Sequence, residues 1–222
     1  MNVMGNIFRL VVLSFFLSGP VLAADPAQVL LVGGQARTFA LHVPDGSPPA
    51  GGFPVILAFH GGGMKGAGMA RMTGLDAVAD KDRFIVIYPD GVDKHWNDGR
   101  TTIKNPQDDV RFVAALLDQV QRSYAVNRRR IFATGISNGA LFTERLGCDL
   151  SSRIAAIAPV AGSLPADLVP ACRPEKPVAV RGGGHVWPGN SQSFHPRITG
   201  QPSLQINASE VIAHFFLSLP ER

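Results

Sequence analysis

Four short, almost wholly apolar runs constrain the fold most. They are Pro54–Phe59, Phe84–Tyr88, Arg130–Gly135 and Ile154–Val160. Runs of this length suit β-strands covered on both faces. Pro177–Val180 reads as a shorter fifth strand, and Arg37–Val43 alternates as an edge strand should. Helical stretches lie between and after them. Met72–Asp80 reads as a short helix and Asn138–Gly147 as another. In Gln107–Tyr124, Val110, Val113, Ala114, Leu117 and Val120 recur three and four apart, forming one apolar stripe. Asp108 and Asp109 stand at its start, where the helix dipole favours anions. Asn207–Leu219 closes the chain as a helix, with Asn207 and Glu210 at capping-box spacing. Strands alternating with helices predict an α/β fold: a mainly parallel sheet with helices on both faces.

Composition narrows the function classes. A chain of 222 residues, 45% hydrophobic and 17% charged, is too apolar for disorder and long enough for one domain with a sizeable core. Its net charge of +4 comes without a dense Lys/Arg face, so no nucleic-acid partner is expected. Residues 1–23 read as a secretory signal: Arg9 precedes an uncharged run from Leu10 to Ala24, with cleavage expected after Ala23. The run is short for a membrane helix, although an uncleaved anchor is the alternative. The expected destination is extracellular or periplasmic, with residues 24–222 as a single domain and no stable membrane insertion after cleavage. An oxidising compartment permits a disulfide between Cys148 and Cys172, the only two cysteines; two buried thiols are the alternative.

Gly135-Ile136-Ser137-Asn138-Gly139 matches G-x-S-x-G where a strand ends and a helix begins. A tight turn there projects a hydroxyl above the sheet edge, and the helix N-terminus faces developing negative charge. Ser137 is therefore the candidate nucleophile; a capping serine in an ordinary turn is the alternative. His60-Gly61-Gly62-Gly63 follows the first buried strand. Backbone amides of Gly61, Gly62 and Gly63, with that of Asn138, are candidates for an oxyanion hole. Gly182-Gly183-Gly184-His185 follows the fifth strand, which suits His185 as the base late in the chain. Trp96 and Trp187, on loops rich in Gly, Pro or polar residues, either wall a pocket or pack their loops, and His60 and His95 are further candidate substrate contacts. No two histidines have metal-ligand spacing, so no metal site is expected.

Taken together and in order, H-G-G-G, Y-P-D-G, W-N-D-G-R, D-D-V-x-F, A-T-G-I-S-N-G, A-A-I-A-P-V-A-G and G-G-G-H-x-W-P-G resemble secreted polyhydroxybutyrate depolymerase-like and feruloyl esterase-like carboxylesterases of the α/β-hydrolase fold. The resemblance spans about residues 35–190 and the final helix. It implies Ser137 as nucleophile, His185 as base, an oxyanion hole near Gly61 to Gly63 and Asn138, ester substrates (polyester or hydroxycinnamoyl polysaccharide) and no cofactor. One departure stands out. The family carries its acid after the strand that follows A-P-V-A-G, with more chain before the histidine loop. Residues 161–184 lack room for both strands and their crossover, so the sheet is expected to be shortened at its C-terminal edge. The usual acid is missing. Asp167 and Glu175 are the nearest substitutes, and a catalytically impaired remnant that retains only ligand binding is the alternative to an active esterase.

Overall fold

A computed structural model of the chain describes residues 27–172, 187–189 and 207–221. Among these residues, six strands form one sheet: β1 (Gln28–Val32), β2 (Gln35–His42), β3 (Phe53–Phe59), β4 (Ile85–Pro89), β5 (Val126–Ile136) and β6 (Ala156–Val160). Their order is β1-β2-β4-β3-β5-β6. β1–β2 and β2–β4 are antiparallel; β4–β3, β3–β5 and β5–β6 are parallel. All residues of β3, β4 and β6 are buried, as their unbroken apolar runs require. The proposed fifth strand, Pro177–Val180, lies outside the described residues.

Among the described residues, five α-helices cover the sheet: α1 (Gly66–Thr73), α2 (Leu75–Asp82), α3 (Asp109–Ser123), α4 (Asn138–Asp149) and α5 (Ala208–Ser218). Side-chain alternation along the strands assigns each helix to a face. Val55, Leu57 and Phe59 of β3 join Ile85, Ile87 and Ile131 under α3 and α4. Ile56 and Ala58 join Val86, Tyr88 and Phe132 under α1, α2 and α5. On the α3 and α4 face, Trp96 stacks on Phe142 at 5.0 Å, and Phe59 meets both rings edge-on. Each such pair adds about 1 kcal/mol beyond the area it buries.

Three local expectations are revised. The single helix at Met72–Asp80 is two helices, broken at Gly74, whose φ of 60° no other residue type adopts as cheaply. The strand predicted at Arg37–Val43 is not the edge; β1 pairs along its outer side. Asp109 does not merely face a helix dipole. Its carboxylate is fully buried and accepts from Arg37 Nη2 at 2.6 Å, while Asp108 caps α3 by accepting from the Arg111 amide. At α5, Asn207 accepts from the Ser209 and Glu210 amides, as the capping spacing predicts. Cys148 and Cys172 form a disulfide across 24 residues, tying the end of α4 to the segment after β6. Closing a loop of that length stabilises by about 3 kcal/mol in chain-entropy terms.

Candidate active site

The parallel strands point their C-terminal ends to one edge, where α/β sheets place their ligands. There Phe59 of β3 lies opposite Gly135 of β5, so the H-G-G-G loop and the G-x-S-x-G turn leave adjacent strands side by side. Ser137, half-exposed, links β5 to α4 with φ 55° and ψ −120°. That pair of angles lies outside even the left-handed helical region. A non-glycine residue held there costs on the order of 1–3 kcal/mol, and such strain clusters at active sites.

The surroundings enforce the conformation. The Ser137 amide donates to the Val160 carbonyl of β6 at 3.1 Å, and the Ser137 carbonyl accepts from Ala140 and Leu141 in the first turn of α4. Both motif glycines are required by close approach. A Cβ at Gly139 would strike the carbonyl oxygens of Phe59 and His60; one at Gly135 would lie 2.5 Å from the Gly139 oxygen. Gly162 packs the same way, since its Cβ would come 2.6 Å from that of Ala140.

The H-G-G-G loop crosses directly over this turn. A Cβ at Gly61 would sit 3.6 Å from Ser137 Cβ, and one at Gly62 would sit 3.8 Å from Asn138 Cβ. Among the described residues, no acceptor takes the amide hydrogens of Gly61, Gly62 or Asn138. Gly63 differs, and its place among the oxyanion candidates is corrected: its amide donates to the Lys94 carbonyl at 2.9 Å. Lys94 belongs to the short 3-10 turn Val92–Lys94, where Asp93 and Lys94 both have positive φ. That turn sets the exposed His95 ring against Gly62, its Nδ1 3.1 Å from the Asp93 carbonyl.

His60, Trp96 and Trp187 are not pocket walls. His60 is fully buried; its Nε2 accepts from the Gly91 amide at 3.0 Å, so Nδ1 carries the hydrogen and donates to the Gly61 carbonyl at 2.8 Å. It is an internal brace for the H-G-G-G loop. Trp96 is buried against Phe59 and Phe142, and its Nε1 donates to the His60 carbonyl. Trp187 is buried on the opposite face, where its Nε1 donates to Ser209 Oγ. In each case cover comes from elements distant in sequence, which loop composition does not report.

Burial depresses the His60 pKa below 6.5, outweighing the help of the Gly61 carbonyl. The unfolded chain, with its ordinary imidazole, therefore takes up a proton that the buried ring resists, and stability falls as pH drops below 6.5. Urea midpoints measured from about pH 7 to about pH 5 should decline, and the decline should be shallower in His60→Gln.

Sequence reasoning missed the carboxylates that hold the loops. Asp90, of Y-P-D-G, accepts from Thr38 Oγ1 at 2.7 Å and from the Gly66 amide at 2.7 Å, joining β2 to the start of α1. Asp98, of W-N-D-G-R, is buried between Arg100 and Asn138. The available signal was an Asp beside Gly in two loops that follow β4. Asp167, considered as a substitute acid, lies on the exposed turn Ala166–Leu168, where its Oδ2 accepts from the Thr101 amide at 2.9 Å and from Thr101 Oγ1 at 3.1 Å. Those bonds hold its pKa below the usual carboxylate value. His185 and Glu175 lie outside the described residues. Among the described residues no cluster of side chains could hold a metal ion, and no helix is long and apolar enough to cross a membrane.

The geometry can be set beside known proteins. Among solved structures, an acetyl xylan esterase from Aspergillus awamori superposes with a TM-score of 0.51 at 20% identity, covering 62% of this chain and 53% of that one. FphF, a fluorophosphonate-binding serine hydrolase of Staphylococcus aureus, superposes with a TM-score of 0.53 at 12% identity, covering 86% and 74%. The chain has the α/β-hydrolase fold. Curated relatives agree with the motif resemblance. NocK, named as an esterase, of Nocardia uniformis subsp. tsuyamanensis is 32% identical over 163 residues, 71% of this chain and 47% of that protein. Feruloyl esterase C of Emericella nidulans is 28% identical over 136 residues, 59% and 48%. Poly(3-hydroxyalkanoate) depolymerase C of Paucimonas lemoignei is 26% identical over 127 residues, 54% and 30%. The chain thus spans about half the length of NocK and of feruloyl esterase C. No protein-family model matches it.

Proposed function

We propose that the chain is a secreted serine esterase that cleaves carboxylic esters through an acyl-enzyme. The strained φ and ψ of Ser137, at the head of α4 and beneath the Gly61–Gly62 loop, are the observation that carries this reading. Ser137 Oγ attacks the ester carbonyl while His185 takes its proton, and the amides of Gly61, Gly62 and Asn138 receive the oxyanion. His185 then protonates the leaving alcohol, and water repeats the sequence to release the acid. The names of the relatives favour polyhydroxyalkanoate or feruloyl-polysaccharide esters as substrates.

The rival reading is an impaired remnant without a triad acid. It is favoured by the engagement of the Asp167 carboxylate with Thr101, since an imidazole without an orienting acid loses about 10⁴-fold in turnover in a serine protease. Hydrolysis of a short-chain p-nitrophenyl ester tests both. The esterase reading expects turnover that falls at least about 10³-fold in Ser137→Ala. Equal slow rates in the two proteins would favour the remnant.

A further inference from the structure

One of the carboxylates that hold the loops also reaches the residue after Ser137. Asp98 is fully buried, and an ionised carboxylate there is costly unless it is paired and hydrogen-bonded. On one side, Arg100 grips it through Nε, 2.9 Å from Oδ1, and Nη2, 2.7 Å from Oδ2; the Arg100 amide adds a bond to Oδ1 at 3.2 Å. On the other side, Asn138 Nδ2 donates to Oδ2 at 2.8 Å. Asn138 spends the rest of its side chain on the same loop: Oδ1 accepts from the Trp96 amide at 2.8 Å, and the second Nδ2 hydrogen reaches the Trp96 carbonyl at 3.1 Å. A flipped carboxamide would set its oxygen against two acceptors, so the orientation is fixed.

The placement of Asn138 gives that network its consequence. It is the first residue of α4 and directly follows Ser137. An amide at the start of a helix has no intrahelical acceptor of its own. Its peptide is held at one end by the Ala140 and Leu141 amides on the Ser137 carbonyl, and at the other by the Asn138 side chain, which ties the residue to the Trp96–Asp98 loop. The far end of the brace is itself anchored: the Asn97 amide donates to Asp109 Oδ2 at 2.8 Å, Arg145 Nη1 to the Asn97 carbonyl at 2.9 Å, and Thr101 to Asp167.

We propose that Asp98 is a positioning residue: through the Asn138 carboxamide, its carboxylate fixes the peptide after Ser137 so that the Asn138 amide aims at the oxyanion. This inference rests on the esterase reading. Removing an oxyanion donor outright costs about 10²–10³ in kcat, so misaiming one costs about 10- to 100-fold.

The test uses the full chain, a fluorophosphonate to count reactive serines, and p-nitrophenyl butyrate as substrate. In Asp98→Asn, kcat per titrated site should fall about 10- to 100-fold with KM within about twofold of wild type. The exchange Asp98→Asn/Asn138→Asp restores a carboxylate–carboxamide bond beside Arg100 and should recover part of that loss. Should Asp98→Asn not fold, Asn138→Ser, which leaves the Asp98–Arg100 pair intact, should show the same kcat-selective loss. Unchanged kcat per titrated site in the folded variants would overturn the inference while leaving the esterase reading intact. Absence of both turnover and a titratable serine in the wild type would overturn the two together.

Discussion

Replacing Gly139 with alanine should unfold or nearly unfold the protein. The added methyl meets the Phe59 and His60 carbonyl oxygens, the latter at 2.5 Å. These obstacles are backbone at the end of the central strand β3, which is paired on both sides, so no rotamer change relieves them. Overpacking of this kind costs about 3 kcal/mol or more when the neighbours cannot give. The remaining escape is for α4 to lift away from β3, which carries Ser137 and Asn138 with it. A displacement of about 1 Å near reacting atoms lowers turnover about 100-fold, so any protein that folds should be nearly inactive. Gly68→Ala is the control. Gly68 lies within α1, where the nearest atom to a new Cβ is the flexible Met64 Cε at 3.4 Å, and alanine in a helix is favoured by about 0.5–1 kcal/mol. Thermal melts of the two variants should move in opposite directions.

The second large effect concerns the buried pair between Arg37 and Asp109. Both side chains are enclosed, Arg37 at 3% exposure and Asp109 at 0%. Arg37 also lies over the Phe112 ring at 4.1 Å and donates to the Asp90 carbonyl at 3.2 Å. Asp109→Ala would strand this guanidinium in the interior and remove the acceptor of the Asn97 amide. Stranding a buried charge costs about 3–5 kcal/mol, which should appear as a large drop in urea midpoint. The double variant Arg37→Met/Asp109→Ala removes the orphaned charge and should be more stable than Asp109→Ala alone. A double variant no better than the single one would mean that the Asn97 bond, not the cation, dominates the loss.

What could be read in the sequence was what short-range physics decides. β3, β4, β5 and β6 announced themselves because a strand covered on both faces must be apolar throughout, and the turn around Ser137 because glycine alone permits its crowding. β1 was not legible. It pairs on one side only, and Val29 and Leu31 are left exposed, so its composition carries no burial signal. Helix α1 was hidden by glycines: Gly66 and Gly68 depress helix propensity, yet Gly66 is required where a Cβ would strike the Tyr88 carbonyl. Which of the two roles the loop tryptophans take was not legible for a third reason. Trp96 and Trp187 stand among polar and turn residues, and only the folded chain shows that α4 covers one and α5 the other. Asp98 and Asp109 likewise pair with Asn138 and Arg37, partners 40 and 72 positions away, which no local pattern encodes.

Intact-mass analysis after exposure to a fluorophosphonate, followed by peptide mapping, bears most directly on whether a distorted backbone at residue 137 presents an activated hydroxyl. The expected result is one adduct per chain, located on Ser137 and absent from Ser137→Ala. An unmodified wild-type protein, or an adduct on another residue, would contradict it.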